Sequence, residues 1–177
     1  MPFCSIRQSR PLDEQIRHYA RVDEMTPWWR DELGARLESL ADDIEAEYSQ
    51  VCTVVRTSGQ RQHDIRNVWV TPTNPAATAV GWDDMGSQLQ AYAGGGHGGR
   101  WELDRSPDDV DFIEEVVHAA IEGRVAEVLG PSRSRVEVTL RSGEVVAETG
   151  GVAPGGCLPL PGWVKFGRRL QYEPYRP

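Results

Sequence analysis

The chain has 177 residues, enough for one ordinary domain with a core of its own. Its 39% apolar and 26% charged content is that of a globular rather than a disordered protein, and no apolar run approaches the roughly 18 residues a bilayer crossing needs. A net charge of −8 argues against nucleic acid as the main partner, because phosphate binding needs a basic stripe.

The opening "MPFCSIRQSRPLDEQ" lacks the apolar region of a signal peptide. Cys4, Cys52 and Cys157 make neither a CxxC pair nor a disulfide framework. Both features predict a cytoplasmic protein with inert thiols. Residues 1–22 show no clear period and read as an N-terminal arm anchored by Ile16, Tyr19 and Val22. Residues 23–177 show no repeat and no internal boundary, so they read as a single domain.

The first predicted element is a helix over about 27–49. Thr26 is its expected N-cap and Pro27 suits its first position. Trp29, Leu33, Leu37, Leu40, Ile44 and Tyr48 recur at helical spacing as one apolar stripe, with Asp31 and Glu32 near the positive end of the dipole. "VCTVVRT" and "IRNVWV" then predict a hairpin, and "TAVGW" and "SQLQAYA" a second one around "DDMG". "GRWELD" is a further strand.

A second helix is expected over about 107–129. Ser106 caps it, Pro107 opens it, Asp108 and Asp109 suit its dipole, and Gly130-Pro131 ends it. Phe112, Ile113, Val116, Val117, Ala120, Ile121 and Val128 project to one broad side. "RVEVTL" and "VVAET" predict a third hairpin, and "VKFGRRLQYEP" a last strand. Short strand connections favour antiparallel pairing. The expected fold is α+β: a single-layer antiparallel sheet of about six to eight strands, built from hairpins, with the two amphipathic helices packed on it.

No pattern in the chain specifies a reaction. Gly94, Gly96 and Gly99 form a GxGxxG around His97, but "RWELD" follows as a strand. A dinucleotide loop needs a helix there, and no Walker sequence follows. The run reads as a flexible tip between two strands that functions, if at all, by contact through His97. His63-Asp64 lacks a nucleophile pattern, and Asp83-Asp84 reads as a turn pair. No metal-ligand spacing joins the histidines, so no cofactor, metal or catalytic residue is expected.

Charge is the more informative pattern. Asp23–Glu47 holds nine acids against two arginines, and Asp104–Glu127 eight against two, whereas Gly130–Pro177 has seven basic residues against four acids. The two acidic stretches are the two predicted helices, which could steer a basic protein partner. Glu114, His118 and Glu122 line one helix face at i, i+4 and i+8, projected opposite the apolar side. Trp28 lies beside the apolar stripe and is an interface candidate. The expected partner-binding set is Trp28, Asp31, Glu38, Asp42, Glu114, His118, Glu122 and His97.

The stretches "GGRWELDRSPDDV", "GRVAEVLGPSRSRVEVTLRSGE", "LPLPGW" and "YEPY" resemble a group of small acidic α+β proteins of high-G+C bacteria, some of which resemble immunity proteins of polymorphic toxin systems. The likeness covers roughly residues 80–177 and carries no catalytic residues. It implies a non-enzymatic protein-binding module, an immunity or antitoxin-like inhibitor whose acidic helices meet a basic protein. Nucleic acid and membrane are not expected partners, and a homodimer is left open. One alternative is an adaptor resembling secretion chaperones. The other is a small-molecule binder or enzyme with a pocket between sheet and helices, lined by Trp69, Trp82, Trp101 and His97.

Overall fold

A computed structural model describes residues 30–58, 65–152 and 161–176 of the chain. The first helix, α1, spans Glu32–Tyr48. It begins later than its apolar stripe suggests. Asp31 is the N-cap, with extended backbone, and its carboxylate accepts from the Gly34 N–H at 2.9 Å. An aspartate caps better than a threonine, and Asp31 is also held by Arg105. Thr26, Pro27, Trp28 and Trp29 lie outside the described residues, as do the N-terminal arm and His63-Asp64. Leu37, Leu40, Ala41 and Ile44 form the buried stripe of α1.

Five strands follow: β1 (Cys52–Ser58), β2 (Arg66–Pro72), β3 (Val80–Asp84), β4 (Gln88–Ala93) and β5 (Arg100–Asp104). They pair antiparallel in sequence order. Alternation decides which face is covered. Val68, Val70, Val80, Trp82, Leu89, Ala91 and Trp101 are buried, with Trp82 opposite Ala91 and Ala91 opposite Trp101. Asp84 serves its turn as expected, accepting from the Gly86 N–H at 2.9 Å.

The second helix, α2, spans Pro107–Ile121, capped by Ser106, which accepts from the Asp109 N–H at 3.3 Å. It stops eight residues before the expected end. Gly123 takes the left-handed conformation (φ +73°), and a Cβ there would stand 2.6 Å from the Pro174 nitrogen. The Arg124 N–H closes the last turn on the Ala119 carbonyl. "VAEVLG" is therefore a strand, β6 (Val125–Gly130), and Val128 belongs to it rather than to the helix. Pairing on both of its edges overrides the helical spacing of its apolar residues.

The third hairpin is present as β7 (Arg133–Thr139) and β8 (Val145–Gly151). A single helical turn, α3 (Trp163–Phe166), replaces the start of the expected last strand, which is shortened to β9 (Arg168–Gln171). The fold is α+β and antiparallel, and the nine strands among the described residues divide into a sheet ordered β1-β2-β3-β4-β5 and one ordered β8-β7-β6-β9. Helix α2 contacts β3, β4 and β7, so it packs against both sheets, while α1 lies on β1 and α2. One apolar cluster joins the helices α1 and α2 to both sheets, from Leu37 to Tyr175.

Candidate functional site

The glycine run connects β4 to β5 and is tied down, so the expected flexible tip is an anchored loop. Five successive backbone N–H groups point inward. Gly94 donates to Thr78 Oγ1 at 3.0 Å. Gly95 and Gly96 donate to the two oxygens of Glu127, each at 3.0 Å. His97 and Gly98 donate to Ser134 Oγ at 2.8 and 2.7 Å. Glu127 is 1% exposed and Ser134 is fully buried. Concave runs of backbone N–H groups bind anions. Here the anion is the protein's own carboxylate, supplied by β6 from the other sheet.

Glycine is needed at Gly96 for space, because a Cβ there would lie 2.5 Å from Ser134 Oγ and against Glu127 Oε1. The Tyr172 hydroxyl completes the cage, donating to Glu127 at 2.6 Å and accepting from the Gly95 N–H at 3.0 Å. Burial, then the Glu127 carboxylate, pushes its ionisation up to about 12. The imidazole of His97 is exposed above this anchored loop.

The acids of the two helices are divided by arginines. On one side of α1, Arg56 meets Asp42 at 2.7 Å and Glu45 at 2.5 Å, and Arg66 pairs with Glu38. Asp31 lies at the start of the helix, where Arg105 holds its ionisation below the usual carboxylate range. At the far end of α2, Glu122 meets Arg124 at 2.8 Å. Asp31, Glu38, Asp42 and Glu122 therefore do not share one surface. Trp28 lies outside the described residues.

Glu114 and His118 are brought together with residues of α1. The two helices enclose a groove of about 730 Å³, lined by Arg36, Ser39, Leu40, Asp43, Ile44, Ala46, Glu47, Tyr48, Glu114 and His118. The stripe expected to face open solvent thus lies partly against α1. Arg36 reaches across to Asp111 at 2.6 Å and Glu114 at 2.8 Å. At the other end Arg176 lies 4.6 Å from the Tyr48 ring centre and donates to the Glu47 carbonyl at 2.5 Å. Burial raises the ionisation of the Tyr48 phenol, helped by its bond to the Glu47 side chain.

Asp43 and Glu47 were not among the expected contact residues. They sit at i and i+4 beside the apolar stripe, on the side of α1 away from Glu38 and Asp42. A helical projection of α1 separates the two sides, but which side meets arginines depends on β1, β2 and α2.

The expected small-molecule pocket is not assembled. Trp82 and Trp101 are buried in the core, Trp69 packs on Tyr92 with ring centres 5.5 Å apart, and His97 stands on the loop. Among the described residues, no group of three or more His, Cys, Asp or Glu side chains is placed to hold a metal ion, and no helix is long and apolar enough to cross a membrane. Comparison with protein-family models and with curated proteins gives no match.

Proposed function

We propose that this chain is a protein-binding module that inhibits or neutralises a basic protein partner, in the manner of an immunity protein. The observation that carries the reading is the contrast between the outer acids of α1 and α2. Glu38, Asp42, Glu45, Asp111 and Glu114 are matched by arginines of this chain, whereas Asp43 and Glu47, on the walls of the α1–α2 groove, are with Glu32, Asp108 and Asp109 among the helix acids in no ion pair within the described residues. In a molecule of net charge −8, unmatched carboxylates raise self-repulsion, a cost that a cationic partner would relieve. The groove also has an aromatic end wall, Tyr48, a residue type that interface centres favour. The resemblance to immunity proteins points the same way.

Affinity purification from a lysate of the native host tests this. The expected result is one basic protein at near-stoichiometric amount, released by high salt. Purification that repeatedly yields no stoichiometric protein would overturn the reading.

A further inference from the structure

Alternation gives the five-stranded sheet two faces. Val68, Trp82, Ala91 and Trp101 look toward α2, where the Trp101 and Phe112 rings meet at 5.9 Å. The other face carries Trp69, Gly81 and Tyr92 in one cross-strand row and Asn67, Asp83 and Gln90 in the next. Gly81 makes the first row flat. A Cβ there would stand 2.8 Å from the Trp69 ring, so the indole lies across the strand and meets the Tyr92 ring with centres 5.5 Å apart and planes 30° from parallel. The second row is a line of hydrogen-bonding groups. Asp83 accepts from the Asn67 amide at 2.5 Å and from the Tyr92 hydroxyl at 2.8 Å. The Gln90 amide meets the same hydroxyl at 2.5 Å. Its other polar atom has no partner among the described residues, although Gln90 is only 7% exposed. Buried amides are ordinarily satisfied at both ends, so this one marks a place for a group that donates or accepts.

We propose that this face binds a neutral saccharide, with one sugar ring stacked on Trp69 and its hydroxyls bonded along Asn67, Asp83 and Gln90. The C–H face of a sugar carries partial positive charge and suits the negative face of an aromatic ring. Its hydroxyls both donate and accept, which fits a row of two amides and a carboxylate. The carboxylate in the middle of that row, in a chain of net charge −8, repels phosphate and so disfavours nucleotides. The site lies on the face of the sheet turned away from α2, so it is independent of the protein-binding reading.

The proposal is tested on the full chain by nuclear magnetic resonance, with cellohexaose, maltohexaose, laminarihexaose and mannohexaose as probes. At least one hexaose should shift the Trp69 indole N–H and the Gln90 side-chain amide saturably, with a dissociation constant of about 1 mM or tighter. Trp69→Ala should weaken that binding about tenfold or more. Trp69→Phe, which keeps a smaller ring over Gly81, should weaken it by a lesser factor while keeping the wild-type spectrum elsewhere. No saturation by any of the probes at about 10 mM, shifts confined to other surfaces, or an unchanged affinity in Trp69→Ala would each overturn the assignment. Contacts in the free protein between the Trp69 ring and residues 1–29 or 59–64 would overturn it as well, because the chain would then cover its own aromatic plate.

Discussion

Arg105 grips Asp84 through two parallel hydrogen bonds, Nε to Oδ1 at 2.9 Å and Nη2 to Oδ2 at 3.0 Å, with both side chains more than nine-tenths buried. The same guanidinium reaches Asp31, the N-cap of α1, at 2.5 and 2.9 Å. One side chain thus fixes the end of β3, the turn before α2 and the start of α1. It also sets where α1 begins relative to α2, and so the position of the groove.

Arg105→Met should therefore be strongly destabilising, because it leaves the Asp84 carboxylate buried without its counter-charge. A loss of about 3–5 kcal/mol is expected in chemical denaturation. The double variant Arg105→Met/Asp84→Leu should recover part of it. A single-variant loss below about 1 kcal/mol would show that the pair does not hold these elements together.

Glu127→Ala leaves the Gly96 N–H and the Tyr172 hydroxyl without their acceptor and the Gly95 N–H with the Tyr172 oxygen alone. A stability loss of about 2–4 kcal/mol follows from orphaning buried donors, with faster hydrogen exchange at Gly95 and Gly96. Glu127→Gln keeps one acceptor oxygen and should lose less. Unchanged exchange at both glycines in the alanine variant would contradict the anchored loop.

The tyrosines give a pH dependence at the alkaline end. Burial raises Tyr172 and Tyr92 from 10.0 to about 12, favouring the neutral phenol in the folded state. A raised folded pKa means that this contribution is complete below about pH 10 and is lost as pH climbs toward 12. Denaturation midpoints should fall across that window, and less steeply in Tyr172→Phe, whose residue no longer ionises. Equal slopes for wild type and variant would rule out Tyr172 as a source.

Asp43 and Glu47 are in no ion pair among the described residues. Asp43→Asn/Glu47→Gln should leave the melting temperature unchanged or slightly raised, within about 0.5 kcal/mol of stability. A clear destabilisation would mean that the two carboxylates serve the fold itself.

The legible parts of this chain were those governed by local spacing. The hairpins β1–β2, β3–β4 and β7–β8 follow from β-branched runs around turn residues, and Ser106-Pro107 marks the start of α2. The end of α2 was not legible. "RVAEVL" has apolar residues at helical spacing, and the clash that makes Gly123 the stop comes from Pro174, about fifty residues away in sequence. Glu127 was misread for the same reason, as a helix acid rather than a buried strand residue. The glycine run was read correctly as a turn, but its anchoring depends on Glu127 and Ser134 in the other sheet. For the candidate site, Glu114 and His118 were legible as a stripe, whereas which acids of α1 meet Arg56 and Arg66 appears only once β1 and β2 are placed beside the helix.

The most direct test of the acidic helical surface is the dissociation constant of the partner recovered from the native host, measured by calorimetry at low and high salt. Wild-type chain should bind more weakly as salt rises, and Asp43→Lys/Glu47→Lys should weaken binding by about tenfold or more at low salt. A dissociation constant that neither salt nor the charge reversal changes would contradict the account.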